Sequence, residues 1–105
     1  MINIYIFNML FKQACISCKL LQACKYDLES AALEILEFGN IDYNYVDKNG
    51  DTALIWACTN NMDSIALKIL EKEDINYKHL NNDKQTALIL ACKNNVNIIV
   101  YESYH

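Results

Sequence analysis

A chain of 105 residues and 12.1 kDa holds one domain and excludes a second. Hydrophobic residues make up 53% and charged residues 21%, which suits a packed core, and the lack of proline with only two glycines excludes collagen-like, polyproline and flexible-linker chains. The net charge is −4 and all nine basic residues are lysine, which argues against a nucleic-acid face built on guanidinium forks and against a polybasic membrane surface.

Residues 1–17 open with MINIYIFNMLF, which is apolar but shorter than the ~20 residues a membrane span takes. A secretion signal needs a positive leading segment and a small-residue cleavage site, and neither is clear here. The segment is expected to cap the domain as a helix or strand. Five cysteines leave one over from any set of disulfides, so an intracellular, reducing setting is expected, the cytoplasm of the source or host cell.

From Cys18 onward the chain repeats. TALIWACTNN at Thr52–Asn61 returns as TALILACKNN at Thr86–Asn95, an offset of 34 residues with no gap. Stepping back another 34 residues, Cys18–Asp51 matches the middle unit at eleven of thirty-four positions, among them Leu20, Ala23, Cys24, Ala32, Ile35 and Leu36. The units are therefore 18–51, 52–85 and a partial 86–105.

Each unit reads as two short helices and a turn. In the middle unit the first helix is expected from about Thr52 to Asn60. Thr52 caps it, and Leu54, Ala57 and Cys58 form one apolar stripe. Asn61, with Asp27 and Asn95 at the matching places, suits the left-handed reversal that follows. The second helix is expected from about Asp63 to Lys72, with Asp63 and Ser64 supplying capping oxygens and Ile65, Ala66, Ile69 and Leu70 its buried face. Asn49-Gly50 is the strongest turn signal in the chain.

Asp47-x-x-Gly50-x-Thr52-Ala53-Leu54, followed by Ala57-Cys58, Asn60-Asn61 and Ile69-Leu70, resembles the ankyrin-repeat family, and Asn44 matches the family's usual Asn. The resemblance covers residues 18–105. The departures are Thr-Ala-Leu-Ile in place of Thr-Pro-Leu-His, a missing Thr in the first unit, and Lys84 in place of the turn glycine in the third. A 34-residue period is shared with tetratricopeptide repeats, whose aromatic and proline positions are absent. The resemblance implies an all-α solenoid of stacked helix-turn-helix units joined by turn or hairpin connectors.

Candidates for chemistry are few. Cys15-Ile16-Ser17-Cys18 is a C-x-x-C, but a zinc site needs four ligands, and only Cys24, His79 and His105 could complete it, at irregular spacing. Cys24, Cys58 and Cys92 recur every 34 residues, as small buried packing positions do. Helices packed ~8–10 Å apart exceed the Cα separation of about 7 Å that a disulfide allows. No nucleophile–base set and no phosphate loop is present, so no enzyme activity, metal or cofactor is expected. Glu34, Glu37, Glu71 and Glu73 read as solvated helix carboxylates. Trp56 reads as inter-repeat core, with an exposed binding anchor as the alternative.

What the resemblance implies is a non-catalytic module that binds a protein partner through its concave face. The residues it points to are Lys25 and Tyr26 in the first unit and Lys48, Asn49, Asp51, Thr59 and Asn60 in the second. In the third they are Asn82, Asp83, Gln85, Lys93 and Asn94. Their mixed charge suits a protein partner. Two alternatives stay open: a truncated or decayed fragment of a longer array with no independent function, and a metal- or redox-active protein using Cys15 and Cys18. With about three units needed for stability, the ends are capped by residues 1–17 and the drifted tail, or the chain self-associates through exposed repeat ends, or it is part of a longer array.

Overall fold

The computed structural model of the chain describes residues 15–38 and 40–93. The expected N-terminal capping segment before Cys15, and the tail with Asn94, Asn95 and His105, lie outside the described residues. Five helices follow in order: α1 (Ile16–Lys25), α2 (Glu29–Leu36), α3 (Ala53–Thr59), α4 (Asp63–Leu70) and α5 (Ala87–Lys93). Among the described residues there is no strand. The helices α1, α3 and α5 stack in one row, each against the next, and α2 stacks on α4 in a second row. α1 packs on α2 and α3 on α4, so each pair is one helix-turn-helix unit.

Local chemistry explains where each helix starts. Thr52 and Thr86 cap α3 and α5: their Oγ1 atoms accept from the amides of Ile55 at 3.1 Å and Ile89 at 3.2 Å. The first unit has Cys18 at the equivalent position, inside a helix that begins earlier. There the cap is Cys15, whose Sγ accepts from the Cys18 amide at 3.3 Å. Without a capping Thr at residue 18, α1 gains another turn at its N-terminus and runs ten residues where α3 runs seven.

The reversals after α1 and α3 are alike. Asp27 and Asn61 sit at φ 57° and 56°. The next amides, of Leu28 and Met62, reach back to Ala23 and Ala57 carbonyls at 2.8 Å each. This is a Schellman closure, which consumes carbonyls that the helix leaves unpaired. The expected side-chain caps on α4 are not found. Met62 is the N-cap and gives no side-chain bond, because the chain enters the helix straight from the reversal with an apolar residue pinned in the core. Asp63 in the first turn acts through its charge alone. The helix ends at Leu70, two residues before the expected Lys72.

The core is continuous through the units. Leu20, Ala23 and Cys24 from α1, Ala31, Ala32 and Ile35 from α2, and Leu54, Ala57 and Cys58 from α3 belong to one cluster with Ile65, Ala66, Ile69, Leu90 and Ala91. The alanines let the helix rows approach closely. Cys24 and Cys58 are fully buried, as their periodicity predicts. Cys92 is a correction: it is exposed, because among the described residues no further unit stacks on α5 as α3 stacks on α1 and α5 on α3.

Candidate functional site

The connectors at residues 47–51 and 81–85 build the site. In the first, Asp47 Oδ1 accepts from the amides of Asn49 at 2.9 Å and Asp51 at 3.0 Å, which folds the turn around one carboxylate oxygen. In the second, Asn81 Oδ1 accepts from Asp83 and Gln85, both at 2.9 Å. The turns are then tied to each other. The Asn82 amide donates to the Asn49 carbonyl at 3.0 Å, and Asn82 Nδ2 to the Lys48 carbonyl at 3.1 Å. Asn81 Nδ2 donates to Asp51 Oδ1 at 2.7 Å, and His79 Nε2 to the Gly50 carbonyl at 2.7 Å. Farther along, Asn44 bridges to residues 74–76, donating to the Asp74 carbonyl and accepting from the Asn76 amide.

Between these turns and helices α3 and α5 lies an open cleft of about 330 Å³. Six of the residues expected on the contact surface line it: Asn49, Asp51, Thr59, Asn82, Asp83 and Gln85. Ile55, Trp56, Asn81 and Leu90 complete it. The other expected residues lie elsewhere. Lys25 ends α1, half-buried, with its ammonium 5.6 Å from the Tyr26 ring centre and 5.8 Å from that of Trp56. Tyr26, Lys48 and Lys93 are exposed outside the cleft.

Two expected surface residues turn inward. Asn60 is an internal tie: its Nδ2 donates to the carbonyls of Cys24 at 2.7 Å and Lys25 at 3.2 Å, closing the end of α1 against α3. Asp51 is 8% exposed and held by Asn81, so it lines the cleft as a tethered carboxylate rather than a free side chain.

Trp56 is half-buried, between the core and the surface. It packs against the core and lines the cleft, and its indole N–H donates to Asp47 Oδ2 at 3.0 Å. Its position was legible as one of the two places where the TAL strings differ, with Leu90 at the matching place in the next unit and Thr59 and Lys93 as the other pair. Asn81 was not singled out from sequence. Its signal is the 34-residue offset from Asp47, which places a second turn-organising side chain at the same point.

The two carboxylates of the first connector are pushed in opposite directions. Burial raises the Asp47 carboxyl, but the donors from Trp56 and from the Asp51 and Asn49 amides, with Lys25 nearby, outweigh it and hold the group below the usual carboxylate range. Burial also raises Asp51. The Asn81 donor opposes this, the charges of Asp47 and Asp83 reinforce it, and the group stays above the usual range.

The thiols divide in the same way between interior and surface. Burial pushes Cys24 up to about 12, with Cys58 adding to it, and burial then Asp63 push Cys58 up to about 12. Both stay protonated and inert at neutral pH. Cys15 is exposed and Cys18 half-buried at the start of α1. Among the described residues no group of three or more His, Cys, Asp or Glu could hold a metal ion, and no helix is long and apolar enough to cross a membrane.

The family model for ankyrin repeats, in three copies, matches residues 20–101. No individual curated protein matches the sequence.

Proposed function

This chain belongs to the ankyrin-repeat family, and we propose that it is a non-catalytic module that binds a protein partner through the face carrying its two turn connectors. Ankyrin repeats are generally protein-interaction modules. The observation that carries the reading for this chain is the cleft between the second and third units. It gathers six residues that differ between repeats over a scaffold that repeats. Lys48 in the first connector and Lys93 at the end of α5 are exposed outside the cleft and add positive charge to its Asp51 and Asp83, and such mixed charge suits a polypeptide better than a polyanion. All five cysteines are free, in keeping with an intracellular, reducing setting.

The test is retention of polypeptides from native extract by the full chain, repeated with Lys48→Ala, Asp83→Ala and Lys93→Ala together. The face variant loses a polypeptide that wild type and a Glu34→Ala control both retain. Folded wild type that retains nothing, or equal retention by the face variant, contradicts the proposal.

A further inference from the structure

The cleft has a chemical bias that names its occupant. Its wall is apolar, from Ile55, Trp56 and Leu90, and its charged groups are Asp51 and Asp83 with no lysine among the lining residues. Asp51 is 8% exposed and its Oδ1 is taken by Asn81. Its Oδ2 accepts no hydrogen bond from any described residue. No fully enclosed side-chain oxygen among those residues lacks a partner, so Oδ2 keeps access to solvent, and Asp51 is one of the residues that line the cleft. The Trp56 indole N–H is tied to Asp47 Oδ2, which orients its ring as a wall of the cleft. That ring already takes a cation within this chain, the Lys25 ammonium at 5.8 Å.

We propose that the cleft receives one cationic side chain, Lys or Arg, of the bound polypeptide, seated on Trp56 with its charge between Asp51 and Asp83. This rests on the interaction-module reading and specifies the partner's chemistry. At about 330 Å³ the cleft is at the small end of the range of about 300–1,000 Å³ for binding pockets. It fits a side chain, not a helix ~10–12 Å across. A long aliphatic stem suits the Ile55 and Leu90 wall, and a charged head answers the half-used carboxylate of Asp51. The raised carboxyl of Asp51 agrees with this, since an incoming cation relieves the repulsion from Asp47 and Asp83.

The experiment pans a phage-displayed random dodecapeptide library against the folded full chain and measures the selected peptides on variants. Asp51→Asn keeps the oxygen that accepts from Asn81, and Asp83→Asn is at an exposed position, so the pair removes charge and little else. Selected peptides are expected to be enriched in Lys or Arg at one position. They bind the double variant about tenfold more weakly, and Asp83→Asn alone by several-fold, while the helical signal is unchanged. If Asp51→Asn does not fold, Asp83→Asn alone decides. Peptides without basic enrichment, or with equal affinity for the charge variants, overturn the cation site. The module reading survives that result if the same peptides lose affinity on Asn49→Ala or Asn82→Ala. Failure to select any peptide overturns both.

Discussion

Residues 47–51 and 81–85 trace the same turn with different side chains. Asp47 N donates to Asp51 O and Asn81 N to Gln85 O, each at 3.0 Å, and in both a single side-chain oxygen gathers two amides. The first turn has Gly50 at φ 75°, and the second has Lys84 at φ 59° in the equivalent place. The reason lies in what is stacked on each. A Cβ on Gly50 would stand 2.8 Å from Asn82 Oδ1 and 3.1 Å from its backbone nitrogen, because the second connector lies directly on the first. Lys84 is exposed, and among the described residues no third connector covers it. Glycine is therefore demanded by close approach and left-handed geometry at Gly50, but by geometry alone at Lys84, where the Asn81 network holds a residue that dislikes the conformation.

This contrast can be broken most severely at Asn81. Alanine there removes the acceptor for two turn amides and the donor to buried Asp51, leaving that carboxylate without its partner. A loss of about 3 kcal/mol in urea unfolding is expected. Gly50→Ala comes next, with a loss of about 2 kcal/mol from combined strain and crowding. The opposite sign is expected at the other turn: Lys84→Gly raises stability by about 1 kcal/mol, read as a higher thermal midpoint by circular dichroism. Equal and opposite effects of glycine at the two turns would show that stacking adds nothing to the demand at Gly50.

The smallest effect is in pH dependence. Asp47 titrates lower folded than unfolded, so its contribution is present above the unfolded value of about 3.9 and is lost as pH falls through the folded one. Asp51 titrates higher folded, so its contribution is present below about 3.9 and is lost as pH rises through the folded value. Asp47→Asn is expected to lower the urea midpoint at pH 7 and Asp51→Asn to raise it. Each difference is worth a few tenths of a kcal/mol in these partly solvated sites and closes toward acid pH. The same sign for both variants at pH 7 would contradict the assigned shifts.

The helices, the Thr52 cap and the reversals were legible because each depends on a few neighbouring residues. Thr52 carries its capping oxygen wherever it stands, as does Thr86 at the matching place, and Asp27 and Asn61 mark a left-handed reversal by residue type and register. The inner alignment of the connectors was not legible, because it is a contact between units. Asp51 reads as an exposed turn residue until Asn81, thirty residues on, covers it. Asn60 reads as surface until its amide is seen to close α1. Asp63 and Ser64 look like caps, yet a tight Schellman reversal hands the N-cap to Met62. Cys92 follows the buried pattern of Cys24 and Cys58, but periodicity cannot tell that no further unit covers it among the described residues.

The paired connectors, and not the helices alone, set the cleft wall at Trp56, through Asp47 on the indole and Asn81 on Asp51. The chain has one tryptophan, so its fluorescence reports that wall without interference. The most direct measurement is urea unfolding of wild type and Asn81→Ala, followed in parallel by Trp56 fluorescence and far-ultraviolet circular dichroism. The variant is expected to show a lower midpoint by both probes, with a red-shifted Trp56 emission before the helices unfold. Unchanged midpoints and an unchanged emission maximum would contradict it.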